Sequence, residues 1–379
     1  MQDNRALRMV IAGGGTGGHV LPAVAVVHEL RARAVPLSCL WVGSRTGVER
    51  EAAEREDIPF AAIQTGKLRR YLSTKTAADA VRIPIGFGQA VRVLRWFRPD
   101  VVFSTGGFVS VPTVLAAARL APILTHEQTA TLGLATRINL RVADKLAVSY
   151  PESVTLAGVR QDRAVVTGNP VRATLASGNA VHGLARFQFS PELPLVYVTG
   201  GARGASPVNH RIQAELPGLL ERCQILHQTG PASMNDDART MRTLWETWPE
   251  KLQPRYFVSE FVGDELPDVY AAASLVVGRA GAGTVAELAF LGKPSILIPL
   301  PGTGGDEQVR NAAILSDAGA SVVIPQDQAT PERLGGEIIR LLGDPDRLRT
   351  MGDRAKAVGR PDAAARLADE LLNLAGWAW

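Results

Sequence analysis

The chain has 379 residues, 46% hydrophobic and 21% charged, a globular mix long enough for two domains. Its net charge of +4, from 41 Lys and Arg against 37 Asp and Glu, is too small an excess to argue for a nucleic-acid partner. The two cysteines, Cys39 and Cys223, lie in different halves without metal-ligand spacing, which argues for buried thiols in a reducing compartment and against a disulfide framework.

The opening run MQDNRALRMVIAGGG is too short in its apolar part for a signal peptide and passes straight into glycines. Residues 9–28 and 101–118 are uncharged for nearly a membrane span, but glycine, serine, threonine and proline interrupt both. They read as strand, turn and helix, so the expectation is a soluble or peripheral protein without a transmembrane helix.

One grammar then repeats: a short β-branched run, a glycine-rich turn, an amphipathic helix. Residues 6–12 predict a strand, 13–18 a turn and 19–33 a helix. A second strand at 37–42 leads through Gly43–Gly47 into a charged helix ending near Glu56. Residues 101–104, 123–125 and 145–148 complete the strands of this half, with a helix at 111–119. Around Gly168-Asn169-Pro170-Val171-Arg172 the pattern stops, and 169–193 is poor in strand signal. It resumes with strands at 195–199, 224–228, 255–260, 275–277 and 295–298, and a further one at 322–324. Two closing helices are expected at 331–342 and 347–374. Alternating βα units predict an α/β protein of two doubly wound, Rossmann-like parallel sheets. The expected division is 1–168, a linker at 169–193, and 194–354, with the C-terminal helix of about 355–379 returning to the first domain.

Ligands of such sheets bind beyond the carboxyl ends of the strands, where glycine turns let phosphate oxygens approach helix N-termini. Gly13-x-Gly15-x-x-Gly18 satisfies the dinucleotide pattern formally, but the second strand ends in Val42-Gly43-Ser44-Arg45, without the acid that holds a ribose. That leaves an NADP reading open for this turn. The turn Gly278-Arg279-Ala280-Gly281-Ala282-Gly283-Thr284-Val285-Ala286-Glu287 is more telling, because its small residues expose a helix N-terminus to a diphosphate. Thr284 adds a hydroxyl, and Glu287 sits one turn in, where a carboxylate reaches sugar or ribose hydroxyls. Taken singly, such a turn is as well explained by packing and a capping-box acid. Several of them at strand ends favour a ligand. Gln308 and Asn311 share a helix face after a further glycine cluster and can read sugar hydroxyls. His19 directly follows the first turn, where the helix dipole disfavours imidazolium and leaves the ring able to accept a proton. Asp344-Pro345-Asp346 reads as a helix cap, and no metal-binding constellation or cofactor is expected.

Gly14-Gly15-Thr16-Gly17-Gly18-His19, His126-Glu127-Gln128, Gly168–Arg172 and Gly281–Glu287 with Gln308 and Asn311 together resemble the MurG-type transferases of peptidoglycan synthesis. The resemblance runs in order along nearly the whole chain. It implies a GT-B fold of two Rossmann-like domains facing a cleft. It also implies inverting transfer of N-acetylglucosamine from UDP-GlcNAc to an undecaprenyl-pyrophosphoryl-MurNAc-pentapeptide. Residue by residue, it implies that Thr16, Gly17 and Gly18 approach the sugar and acceptor, with His19 as base. Arg172, the backbone at Val262, the residues Ala282, Gly283, Thr284, Val285, Ala286 and Glu287, and Gln308 would hold the donor. Three positions depart from the family's usual pattern: Thr129 for asparagine, Ala202 for serine and Phe108 for tyrosine. A lipid acceptor implies an anionic membrane surface at the cytoplasmic face. The basic and apolar residues Lys67–Leu72, and 81–98 with Ile83, Ile85, Phe87, Val91, Leu94, Trp96 and Phe97 among arginines, have the composition for it. The alternatives are another UDP-sugar GT-B enzyme (a glycolipid transferase or a UDP-GlcNAc 2-epimerase) and a non-catalytic nucleotide-sugar-binding subunit.

Overall fold

The computed structural model of the chain describes residues 5–66, 74–303 and 305–377, without the side chains of 74–81. The chain divides into two compact units, Met1–Arg172 with Arg360–Trp379, and Ala173–Gly359.

The first unit begins with β1 (Leu7–Gly13), α1 (Gly17–Ala32), β2 (Leu37–Ser44), α2 (Val48–Arg55) and β3 (Phe60–Ile63). It continues through α3 (Thr74–Phe97), β4 (Val101–Gly106), α4 (Ser110–Ala117), β5 (Ile123–Glu127) and α5 (Leu134–Asn139). Then come β6 (Lys145–Val148), α6 (Pro151–Ala157) and β7 (Ala164–Val166). The strands form one parallel sheet in the order β3-β2-β1-β4-β5-β6-β7. A strand inside such a sheet is covered on both faces, which explains why β1 is an almost unbroken apolar run. Leu7, Met9 and Ile11 pack with Val20, Val24 and Val27 of α1, while Val10 and Ala12 pack with Ala90, Leu94 and Val114 on the other face. The edge strands β3 and β7 were not among the expected elements.

The second unit holds α7 (Ala180–Arg186), β8 (Leu195–Thr199), α8 (Ser206–Leu220), β9 (Gln224–Gln228), α9 (Asp237–Trp245) and β10 (Tyr256–Ser259). After these come α10 (Leu266–Ala272), β11 (Ala273–Gly278), α11 (Ala282–Leu291), β12 (Ser295–Leu297) and α12 (Glu307–Asp317). β13 (Ser321–Val323), α13 (Pro331–Leu342) and α14 (Pro345–Val358) complete it. Its six strands are also all parallel, in the order β10-β9-β8-β11-β12-β13.

Two stretches differ from the expectation. Within 169–193, residues 173–177 form a 3-10 turn and 180–186 form α7, both packed on α10. Asn179 caps α7 through Val181 N and His182 N, and its own N–H donates to Asp268. The helix expected at 347–374 is two: α14 ends at Gly359, and Pro361, which has no N–H to donate, separates it from α15 (Ala363–Leu374). α15 belongs to the first unit, where Leu367, Leu371 and Leu372 join the α1 core and Lys145 pairs with Glu370.

Both sheets reverse their winding at one place, between β1 and β4 and between β8 and β11. At such a switch point the following helices leave to opposite faces and open a crevice beyond the strand ends. The glycine turns after β1 and β11 stand there.

Candidate active site

In the first unit the turn Gly14-Gly15-Thr16 leads from β1 into α1, so Gly17, Gly18 and His19 make its first turn. Gly15 has φ +85°, a conformation that only glycine adopts without strain, and the Phe108 ring covers it. Beneath the turn lies Glu49, fully buried on α2. Its carboxylate accepts from Gly15 N (2.9 Å), Ser44 N (2.9 Å) and Ser44 Oγ (2.5 Å). Gly17 is different from the packed glycines: a Cβ there would meet nothing within 4 Å, and at Gly18 only Thr16 Oγ1 at 3.7 Å. Packing therefore does not require glycine at these two positions.

His19 is fixed from the neighbouring strand. Its Nδ1 lies 2.9 Å from the Thr105 carbonyl and 3.2 Å from Gln128 Oε1. A carbonyl only accepts, so Nδ1 carries the proton, and in the neutral ring Nε2 holds the lone pair. Gln128 Nε2 donates to the same Thr105 carbonyl (2.7 Å) and to His126 Nδ1 (3.2 Å). The other nitrogen of His126, Nε2, donates to the Gly168 carbonyl at 3.0 Å. Burial pushes His126 down to about 4, so it is neutral near pH 7. Glu127, between these two on β5, turns to the opposite side and accepts from Thr129 Oγ1 (2.9 Å), Thr129 N and Gly133 N. Arg172 is half-buried at the end of this unit.

In the second unit β11 delivers the turn Arg279-Ala280-Gly281 to the start of α11. Arg279 is buried and donates to the Ile298 carbonyl (2.9 Å) and Gln326 Oε1 (2.5 Å), and burial draws it down to about 10. Asn311, also buried, donates to the Ala280 carbonyl (3.2 Å). Both side chains brace the turn, so Asn311 is committed to the protein rather than to a sugar. A helix start leaves its first N–H groups without intrahelical acceptors, and here those include Gly283 and Thr284. A Cβ on Gly283 would again meet nothing within 4 Å.

Thr284, Ala286 and Glu287 are half-buried, while Ala282 and Val285 are buried. Val285 has no group to offer: its side chain is in the core and its N–H bonds to the Gly281 carbonyl at 3.0 Å. Glu287 accepts from Tyr270 OH (2.8 Å), which orients its carboxylate. Gln308 Oε1 accepts from Leu300 N (2.9 Å), which fixes its amide nitrogen as the other, donating end. Val262 N donates to Gln228 Oε1 (3.2 Å), which also accepts from Tyr197 OH (2.9 Å). Glu49 and Tyr270 were absent from the expected site; in the sequence Glu49 is one charge among several on a charged helix, and nothing marks its burial. Among the described residues no group of three His, Cys, Asp or Glu stands placed to hold a metal ion.

The family model described as the glycosyltransferase family 28 N-terminal domain matches residues 9–148, and the one for the family 28 C-terminal domain matches 195–367. The chain is 36% identical to a Halalkalibacterium halodurans protein named UDP-N-acetylglucosamine--N-acetylmuramyl-(pentapeptide) pyrophosphoryl-undecaprenol N-acetylglucosamine transferase, covering 95% of this chain and 98% of that one. A Treponema pallidum protein of the same name is 37% identical, covering 98% and 96%. Among solved structures, Acinetobacter baumannii MurG matches with a TM-score of 0.71 and 26% identity over 97% of this chain and 99% of that one. A Neisseria meningitidis UDP-GlcNAc 2-epimerase matches with a TM-score of 0.67 over 96% and 99%, at 15% identity, a likeness of fold alone.

Proposed function

The chain belongs to glycosyltransferase family 28, and from that premise we propose that it moves N-acetylglucosamine from UDP-GlcNAc onto undecaprenyl-pyrophosphoryl-MurNAc-pentapeptide. The product is the disaccharide-linked lipid of peptidoglycan synthesis. The observation that carries the reading is His19: it sits on the first turn of α1, beside a glycine with open space above it, with its proton on Nδ1. Its Nε2 lone pair is then the base that takes the proton from the 4-hydroxyl of the muramyl sugar. That oxygen attacks the anomeric carbon, the bond to the UDP oxygen breaks on the opposite side, and configuration inverts. Thr16, Gly17 and Gly18 line the approach.

The donor's diphosphate is assigned to the N-terminus of α11, where the N–H groups of Gly283 and Thr284 and the Thr284 hydroxyl meet the charge that develops as UDP leaves. Ala282 and Ala286 belong to the same helix start. Glu287, held by Tyr270, takes the ribose hydroxyls, and Gln308 donates to the sugar. The Val262 backbone is the nucleobase contact once Gln228 gives way, and Arg172 completes the donor set.

The acceptor's lipid calls for a membrane surface, and we assign it to α3. Ile85, Phe87 and Trp96 are exposed there, Trp96 by 74%, beside exposed Arg82, Arg92, Arg95 and Arg98. Leu94 and Phe97 are not part of this face, because both are buried against the sheet. Lys67, Leu68, Arg69, Arg70, Tyr71 and Leu72 lie outside the described residues. No described helix is long and apolar enough to cross a membrane, so the attachment proposed is peripheral, at the cytoplasmic face.

The test is purified protein with labelled UDP-GlcNAc and the lipid acceptor. Labelled disaccharide lipid is expected; UDP hydrolysis alone, or formation of the 2-epimer, contradicts the reading. His19→Ala should lose most transfer while still binding UDP. Vesicle sedimentation should depend on anionic lipid and weaken in Trp96→Ser.

A further inference from the structure

We propose that Gln128, oriented by His126, is a positioning residue that holds the His19 ring with its proton on Nδ1 and Nε2 turned to the acceptor. The proposal rests on the reading of His19 as base, and it concerns three side chains on two strand ends.

The direction of every hydrogen bond in the chain is fixed by its two ends, and both ends are backbone carbonyls. At the far end the Gly168 carbonyl can only accept, so His126 Nε2 carries hydrogen. A buried ring held neutral then has an unprotonated Nδ1, which accepts from Gln128 Nε2 at 3.2 Å. The Thr105 carbonyl independently demands the same amide orientation: a reversed Gln128 would set two carbonyl oxygens 2.7 Å apart with no proton between them. Gln128 Oε1 is therefore turned to His19 Nδ1, 3.2 Å away, and shares its proton with Thr105 O. The backbone of Gly106 and Gly107 passes close beside the ring. A Cβ on Gly107 would lie 3.0 Å from His19 Cδ2.

The side-chain partner is an amide and not a carboxylate, which matters for a base. A carboxylate at this distance stabilises imidazolium and delays its deprotonation, whereas a neutral acceptor sets the tautomer without a counter-charge. The acidic groups nearby are turned elsewhere: Glu127 bonds to Thr129 and Gly133, and Glu49 to Gly15 N and Ser44. His126 is a further titratable neighbour and is neutral near pH 7.

The direct test is nitrogen NMR on the full chain labelled at histidine, with the His19 signals identified by their loss in His19→Ala. The expected pattern near pH 8 is a protonated Nδ1 and an unprotonated Nε2 for His19, with the reverse pattern for His126. A His19 ring protonated on Nε2 in the wild type overturns the proposal, and this readout requires no variant of the network to fold. The second test is the pH dependence of kcat in Gln128→Glu. Its acid limb should move to higher pH by about one unit or more, with the Kd for UDP unchanged. A Gln128→Glu profile lowered uniformly, or superimposable on wild type, also overturns it. Full turnover by His19→Ala would instead remove the base reading itself, and the tautomer measurement separates the two failures.

Discussion

Replacing Glu49 tests whether the geometry of the first glycine turn is held from below. The carboxylate is fully buried and accepts from Gly15 N, Ser44 N and Ser44 Oγ. Glu49→Gln keeps the volume, so the change is confined to one oxygen becoming an amide nitrogen. Ser44 can retain the remaining oxygen for its two donors, which leaves the new N–H₂ facing the Gly15 N–H. The expected loss is one charge-assisted bond and one satisfied backbone donor, about 2 kcal/mol. Because the chain has two units, a global unfolding curve mixes their transitions. Hydrogen exchange of the Gly15 amide is the cleaner assay: about 2 kcal/mol corresponds to exchange roughly 30-fold faster if local opening dominates. The turn carries His19 on its far side, so kcat should fall about tenfold or more while UDP affinity, assigned to the second unit, stays unchanged. Wild-type exchange at Gly15 together with wild-type kcat would refute the claim that Glu49 shapes this site.

Acid should weaken both units. His126 and His227 are fully buried, with burial lowering them to about 4 and about 3 from an unfolded value of about 6.5. Their folded forms are neutral, so the unfolded chain binds more protons as pH falls. Stability is complete above about pH 6.5 and is lost below it, by about 2 kcal/mol per histidine at pH 5. Calorimetry at pH 7 and 5 checks this, and unchanged transitions contradict it. Tyr270→Phe, which removes the hydroxyl donor to Glu287, should raise KM for UDP-GlcNAc roughly 3- to 10-fold at constant kcat; an unchanged KM would sever Glu287 from ribose binding. Gly17→Ala and Gly283→Ala add a methyl where nothing lies within 4 Å. Each should leave stability equal or up to about 1 kcal/mol higher. Activity should nevertheless drop in the first and UDP affinity in the second, and unimpaired variants would place the ligand elsewhere.

The sheets were legible because parallel strands buried on both faces are written as apolar runs, and 195–199, 224–228 and 145–148 have the same limits in sequence and structure. Edge strands β3 and β7, only partly buried, were not among the expected elements. The break at Gly359-Arg360-Pro361 lies inside an otherwise helical composition, and only the proline marks it. At the site, the glycine turns and His19 could be placed at strand ends from spacing alone. Their supports could not. Glu49 is 34 residues from the amide it holds, and Gln128 is 109 from His19, so only the fold shows that they meet. Asn311 shows the opposite error: its helical spacing with Gln308 suggested a shared task, but burial commits it to the Ala280 carbonyl.

At each of the three positions that depart from the family's usual pattern, the structure shows what the residue present contacts. At 202 an alanine removes a hydroxyl, yet Gly201 N still finds one, donating to Thr199 Oγ1 at 3.0 Å. At 129 a threonine replaces an amide, and its hydroxyl and N–H both reach Glu127, which in turn holds Gly133 N. At 108 the phenylalanine ring lies against Gly15, so the apolar face that a tyrosine would also supply is kept. The groups proposed to meet the diphosphate are mainly backbone N–H groups, at Gly283 and Thr284, and those proposed to admit the acceptor are glycines without side chains, at Gly17 and Gly18. For His19 to act as the proposed base, its Nδ1 must donate to Thr105 while its Nε2 stays open, and no other side chain offers both nitrogens in that geometry.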